Sequence, residues 1–489
     1  MSDSSTPQSL SPLEATRRRV GLGLLLLFAG AYGSNAGGDV DASGAPTPAP
    51  LSPSPGTPAP QASPPASPAG RTEFPLRREG AKRHLVDANG GAFLLQGDSP
   101  WSLLVEATRE QVDQYLDDRV SRGFNTLLTN LIEHEFASNP PRNAYGDAPF
   151  VNGDFAQPNE AYFAHADWVL RRAASKGFLV LLVPAYAGAG GGSQGWYREM
   201  IDNGSAKMRT YGRYLGQRYS SYTNILWTHG GDYNPPQRAL FTEIAAGIRE
   251  FDTRALHSAH CGPGTAAVEY WGGQPWLQVN SVFTYESVYS RSLAQYARSD
   301  AMPFFFIEGR YENESNDGDE HRVRVQAYQT LLCGAMGQLF GNNPVWHFAT
   351  GGIWPYSGTW QQALDSPGAR SMTHLSAAFA SRAWWNLVPD ARNTFLTSGL
   401  GSNMDRAVAA RSSDGTFAMA YLPSARAVSV NLSQLAGPRV AARWFDPSAG
   451  AYTAVTGSPF AATGSRSFQP SQNNASGHGD WLLVLESTA

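Results

Sequence analysis

ILWTHGGDYN (residues 225–234) and PFFFIEGRYE (303–312) are two short apolar runs that each end in a carboxylate, Asp232 in the first and Glu308 in the second. Both are rich in β-branched or aromatic residues, and both precede a segment of helical pattern. Such runs read as buried parallel strands, because a strand covered on both faces needs no polar alternation. In a barrel of alternating strands and helices, the C-terminal strand ends form the rim that carries the chemistry. The two acids are therefore expected to share one rim.

The same pattern extends outward from these two runs. GGAFLLQGDSPW (90–101) is an expected strand breaking at Asp98 and Trp101, and Thr108 is placed as the N-cap of a helix over 109–122. Further strands are expected at FNTLLTNL (124–131), FLVLLVPAY (178–186), ALHSAHC (255–261), LQVNSVFTY (277–285) and QLFGNNPVWHF (338–348). Helical segments near 159–177, 205–221, 236–251, 288–299 and 320–336 fill most of the gaps. Eight strands with intervening helices predict an α/β fold, a (β/α)8 TIM barrel, rather than an open doubly wound sheet. No Gly-rich dinucleotide fingerprint opens the first helix. After about residue 388 the texture changes to short alternating runs with Asp-Gly, Ala-Gly and Pro turns, which predict a small antiparallel β-sandwich.

The chain thus divides into residues 1–36, 37–74, 75–388 and 389–489. The first reads as an export signal of bacterial type. Arg17 to Arg19 form a basic region, Val20 to Ala31 a short apolar core, and small residues follow, so a periplasmic, cell-surface or extracellular location is expected. Sec and twin-arginine export both stay open. The core is too short for a membrane span. The second segment is almost entirely Pro, Ala, Ser, Thr and Gly, and reads as an extended, disordered tether.

Net charge is −4, and past the N-terminus no Lys/Arg cluster is dense enough to suggest nucleic acid. Cys261 and Cys333 offer no metal-site spacing, and free buried thiols are favoured over a single bridge. Strand one carries GDSPW where barrel metallohydrolases have His-x-His, and His257 and His260 do not form an HExxH motif. The acidic stretch ENESNDGDE (312–320) lacks the ligand spacing of an EF-hand. The reading therefore calls for no metal and no cofactor.

Two carboxylates facing one pocket are the minimum equipment for cleaving a glycosidic bond. Around them, Asp98 and Trp101 follow strand one, Asn130, Glu133 and His134 follow strand two, and Tyr186 follows strand three. His229, His260, Asn280, Tyr285, Arg310, Tyr311, Trp346 and His347 fall at further rim positions. Each alone is more often structural; as a set they describe a polar, aromatic pocket. Trp101, Tyr285 and Trp346 are expected to offer apolar faces to a sugar ring. Glu312, four residues beyond Glu308, is a candidate contact and the rival for its role.

The motifs GDSPWSLL (97–104), residues 225–234, EGRYENE (308–314) and GNNPVWHF (341–348) resemble those of the apiosidase-like glycoside hydrolases, glycoside hydrolase family 140. The C-terminal Trp-Phe-Asp-Pro…Gly-Asp-Trp-Leu-Leu-Val-Leu pattern resembles the small domain, named for collagen binding, that often follows that barrel. The resemblance covers roughly residues 75–489. It implies a retaining, exo-acting enzyme that releases apiose from pectic side chains, with Asp232 as acid/base and Glu308 as nucleophile. Gly309 stands where relatives often carry Pro, and residues 312–320 are unusually acidic. An inverting glycosidase of other specificity, or a non-catalytic carbohydrate- or matrix-binding protein, are the alternatives. The sequence does not set the oligomeric state.

Overall fold

The computed structural model describes residues 72–315, 317–349 and 356–489. The expected export signal and nearly all of the expected tether lie outside the described residues. No helix among those described is long and apolar enough to cross a membrane.

Eight parallel strands form one sheet: β1 (Leu95–Asp98), β2 (Thr126–Asn130), β3 (Leu179–Val183), β4 (Ile225–Gly230), β5 (Leu256–His260), β6 (Asn280–Phe283), β7 (Phe304–Glu308) and β8 (Gly337–Phe340). Their neighbour order is β5-β4-β3-β2-β1-β8-β7-β6, so the sheet closes on itself through β8 and β1. Between β5 and β6 there is no ladder. Ser281 Oγ reaches across that seam to the Ala259 carbonyl at 2.5 Å, and the N–H groups of Gln278 and Val279 donate to the His257 carbonyl at 3.0 and 3.1 Å. The barrel is nearly closed. All residues of β2, β3, β4 and β7 are buried, as unbroken apolar runs require when both faces are covered.

The helices alternate with the strands: α1 (Arg109–Ser121), α2 (Glu160–Ser175), α3 (Tyr197–Tyr219), α4 (Arg238–Arg249), α5 (Ala267–Trp271), α6 (Tyr289–Tyr296), α7 (Glu320–Leu332) and α8 (Pro367–Ala380). Thr108 caps α1 as expected, in a reciprocal capping box with Gln111. Helices α3 and α4 approach closely because Gly212, Gly216 and Gly247 line the contact. A Cβ at any of the three would lie 2.3–2.6 Å from a carbonyl oxygen of the other helix. Helix α8 occupies a stretch the sequence reading leaves unassigned, starting from an Ser366 N-cap with Pro367 in its first turn. The expected strand at 338–348 ends at Phe340, and residues 341–348 become a rim loop.

Two antiparallel sheets follow. The larger contains β9 (Leu387–Pro389), β11 (Val408–Ser412), β12 (Phe417–Leu422), β14 (Arg439–Phe445), β15 (Tyr452–Ala454), β16 (Phe460–Ala461) and β18 (Trp481–Thr488); the smaller contains β10 (Leu396–Ser398), β13 (Val428–Asn431) and β17 (Ser465–Phe468). Strands β12 and β18 are apolar on both faces. Ala418, Ala420, Leu422, Leu483 and Leu485 share a core with Val428, Val430 and Phe468 of the smaller sheet. The alternate residues Met419, Tyr421, Leu482 and Val484 pack into the barrel's core instead. This is a sandwich seated on the barrel through α7, in which every residue from Val323 to Leu332 is buried. Arg324 donates to Asp480 from Nε at 2.8 Å and Nη2 at 2.9 Å, and Tyr421 Oη donates to the same carboxylate at 2.8 Å. The Tyr328 and Tyr421 rings stack at 4.6 Å.

Candidate active site

The chain turns sharply after β4 because Gly230 and Gly231 hold φ of 96° and 135°. A Cβ on Gly231 would lie 2.1 Å from the Tyr186 ring, and one on Gly230 would lie 2.5 Å from the His260 carbonyl. No larger residue fits either place. The turn delivers Asp232 with φ 48°, a left-handed conformation that costs a non-glycine residue about 1 kcal/mol or more. Strand β7 ends directly on Glu308.

His260, the last residue of β5, lies between these acids. Its Nδ1 accepts the Asp232 backbone N–H at 3.0 Å and stands 3.5 Å from Asp232 Oδ1. Nε2 therefore carries the proton and donates to Glu308 Oε2 at 2.9 Å. Tyr285 Oη donates to Glu308 Oε1 at 3.1 Å, so each oxygen of that carboxylate is oriented by its own donor. Burial alone would push the His260 imidazolium down. The hydrogen bond that His260 donates to Glu308 and the charges of Glu308 and Asp232 outweigh it and hold the imidazole above its ordinary value. Both acids keep 10 % of their side-chain surface exposed, while His260 keeps none. One oxygen of each acid and a His260 nitrogen all lie within 4.8 Å of one another.

Aromatic rings wall the acids. Trp101 meets His260 edge-on at 5.5 Å and Tyr186 at 5.6 Å, and its indole N–H donates to Tyr311 Oη at 2.8 Å. Phe136, which the sequence reading does not single out, continues the wall between Tyr186 at 5.7 Å and Trp346 at 5.1 Å. The Arg310 guanidinium lies 4.8 Å over the Tyr285 ring and pairs with Asp317 at 3.3 Å. His134 stands further out, on Glu199 at 2.9 Å and edge-on to Trp196 at 5.0 Å. His347 bonds to Asn343 Oδ1 at 2.8 Å within the 341–348 loop.

Asn130 and Glu133 support this wall from behind. The Asn130 N–H donates to the Trp101 carbonyl at 2.9 Å, and Ser102 Oγ donates to Glu133 Oε2. Burial pushes the Glu133 carboxyl up to about 8, against smaller opposing effects from Ser102 and the Ala137 N–H.

Four expected contacts lie elsewhere. Asp98 points outward from β1 and takes Tyr115 Oη at 2.7 Å and Arg119 Nε at 2.6 Å, pinning α1 to the barrel. His229 also faces the helix layer, bonded to His257 at 2.9 Å and edge-on to Trp276 at 4.9 Å. Asn280 opens β6 rather than ending it, and its amide serves the Val268 N–H at 3.0 Å and Gln295 at 3.1 Å. Glu312, the rival for the Glu308 role, accepts from Asn342 at 2.9 Å, Ser366 Oγ at 2.5 Å and the Gly368 N–H at 2.7 Å. Both its oxygens anchor the start of α8 to the rim loop, where a helix N-terminus favours negative charge. In the acidic stretch, Asp319 is the N-cap of α7. Cys261 and Cys333 are free and buried.

Charged and proton-bearing groups so placed can attack and protonate a glycosidic bond. The three atoms clustered within 4.8 Å would also fit round a divalent cation.

Two family models match the chain in succession. Residues 79–386 match the family model "Apiosidase-like, catalytic domain", and residues 388–486 match "Putative collagen-binding domain of a collagenase". No curated protein matches the chain. Among solved structures, a glycoside hydrolase family 5 protein from Bacteroides vulgatus superposes with a TM-score of 0.76 at 22 % identity, over 85 % of this chain and 94 % of that one. A second structure, described as a glycoside hydrolase, gives a TM-score of 0.75 at 22 % identity, over 85 % and 97 % of the two chains. These two show a shared fold, and the matched family model spans well over half the sequence. The chain belongs to the apiosidase-like family of glycoside hydrolases.

Proposed function

We propose that this glycosidase is an exported, retaining, exo-acting enzyme of pectic side chains, apiosidase-like in its substrate. In this reading Glu308 is the nucleophile and Asp232 the acid/base. The observation that carries it is the closeness of the two acids, with an oxygen of each inside a 4.8 Å cluster around His260. Retaining glycosidases hold their carboxyl groups about 5–5.5 Å apart, whereas inverting ones leave roughly 6.5–9.5 Å for a water molecule.

In the first step Glu308 attacks the anomeric carbon while Asp232 passes its proton to the leaving oxygen. His260 Nε2–H and Tyr285 Oη–H hold the attacking carboxylate in one orientation, so little reorganisation is needed as its charge moves onto the sugar. In the second step Asp232 takes a proton from water, which displaces Glu308 and regenerates both groups. The Trp101, Tyr186 and Phe136 wall gives the ring an apolar face.

Incubating the protein with defined pectic and hemicellulosic oligosaccharides, and following the first product by proton NMR, tests this reading. Release of a terminal pentose with unchanged anomeric configuration is the expected result. An inverted first product, or turnover of hemicellulosic but not pectic substrates, overturns it.

A further inference from the structure

The Trp101 indole touches the supports of both acids. It meets His260, the donor to Glu308, edge-on at 5.5 Å. It meets Tyr186, whose ring covers Gly231 beside Asp232, at 5.6 Å. Phe283 also packs on His260, at 5.0 Å, so two rings fix the plane of the imidazole and the indole is one of them. A shift of the indole therefore reaches the bond from His260 Nε2 to Glu308 Oε2, and small misplacements of that kind are costly in rate.

Tyr311 is what ties the indole down. The sequence places it at the rim as a pocket residue, but its hydroxyl accepts the Trp101 indole N–H at 2.8 Å. Burial, then the charge of Glu308, push the phenol well above its ordinary value, so it stays a neutral hydroxyl throughout the working range of pH. Its chain position is rigid on both sides. The Arg310 N–H donates to Gln326 Oε1 at 3.0 Å, and Gln326 Nε2 donates back to the Arg310 carbonyl at 2.9 Å. The Glu312 N–H donates to the Gly341 carbonyl at 2.9 Å, and the Asn343 N–H to the Glu312 carbonyl at 2.8 Å. A Cβ on Gly341 would strike the Tyr311 ring, so the ring has no second place to go. Contacts thus run from Tyr311 to Trp101, His260 and Glu308, and the loop after β7 joins Glu308 back to Tyr311.

We propose that Tyr311 is a positioning residue for hydrolysis, which acts through the Trp101 indole to hold His260, and with it the Glu308 carboxylate, in one orientation. It rests on the reading of this pocket as the hydrolytic site, and neither on the sugar cleaved nor on the roles assigned to the two acids.

Tyr311→Phe in the full chain removes one oxygen and keeps the ring. On a nitrophenyl apioside it should lower kcat about three- to tenfold, as one neutral hydrogen bond allows, with KM near wild type. Trp101→Phe should lose more, and adding Tyr311→Phe to it should cost nothing further, because the indole it acts through is gone. Without substrate, exchange of the His260 Nε2 proton with solvent, followed by heteronuclear NMR, should quicken about tenfold in Tyr311→Phe. It should not quicken further when Tyr311→Phe is added to Trp101→Phe. Losses that add in the double variant overturn the proposal, as does a lowered Tm with kcat and proton exchange both unchanged. The exchange measurement needs no turnover, so a wild-type enzyme inert on apiosides counts against the proposed substrate and leaves this test to decide.

Discussion

His260 Nε2 donates to Glu308 Oε2 at 2.9 Å while its Nδ1 takes the backbone N–H of Asp232 at 3.0 Å. One imidazole thus fixes the side chain of one acid and the chain position of the other. The strained backbone at Asp232 is held from two sides, by His260 and by the Tyr186 ring against Gly231.

Removing the donors should slow chemistry rather than weaken binding. A hydrogen bond to a charged group is worth about 1.5–3 kcal/mol, or roughly 10–150-fold in rate. Tyr285→Phe is expected to lower kcat within that range with KM near wild type. His260→Ala should lose more, because it also frees the Asp232 turn. Steady-state kinetics on one substrate checks both; a rise in KM at constant kcat would contradict the orienting role.

Glu133 makes a prediction about pH and stability. Its folded value of about 8 lies above the ordinary 4.5, so the folded chain keeps a proton that the unfolded chain gives up in between. Stability is therefore full below about pH 4.5 and falls as pH rises towards 8, by at most about 1.4 kcal/mol per pH unit from this group. Glu133→Gln cannot ionise and should flatten that part of the profile. Urea unfolding at pH 5 and pH 8 measures it, and an identical decline in both proteins would contradict the assignment.

The Arg324–Asp480 pair is buried on both sides, with neither side chain exposed. Burial alone would push the Asp480 carboxyl up, but the hydrogen bond and charge of Arg324 hold it below the usual range. Breaking such a pair from one side costs about 3–5 kcal/mol, whereas replacing both partners by apolar residues is far milder. Arg324→Ala is expected to lower Tm sharply, and Arg324→Met with Asp480→Leu to recover most of it.

The cluster of Asp232, His260 and Glu308 separates metal-free from metal-dependent chemistry. Acid/base and nucleophilic roles need no ion, so dialysis against EDTA should leave kcat unchanged. Added Zn²⁺ should inhibit, competitively with substrate, by occupying the same atoms. Loss of activity in EDTA and its return with a divalent ion would show that the cluster works as a metal centre.

The sequence made the barrel legible because strands such as β3 are unbroken apolar runs and helices α1, α2, α7 and α8 start at side-chain caps, as at Thr108. It also showed that β4 and β7 each end near an acid. What it left hidden was side-chain direction. Asp98 and His229 sit at or beside a strand end, as the rim rule asks, yet the period of two turns both to the helix layer. Asn280 was misplaced by a boundary, since β6 begins where the reading put the middle of a strand. Glu312 looks catalytic in sequence, and only the fold reveals that α8 takes its charge. His260 was visible as a rim residue, but its bridging role depends on β5 lying between the two acids in space, which no local pattern encodes.

Azide rescue of the two carboxylate variants on an activated aryl glycoside tests the central claim most directly. With a good leaving group, Asp232→Ala still forms the glycosyl-enzyme, and azide then replaces the water that the missing base would activate. The account predicts that azide restores turnover of Asp232→Ala and yields a glycosyl azide of the substrate's anomeric configuration, while Glu308→Ala stays inactive without azide. Rescue of Glu308→Ala with an inverted product, and none of Asp232→Ala, would contradict it and exchange the two roles.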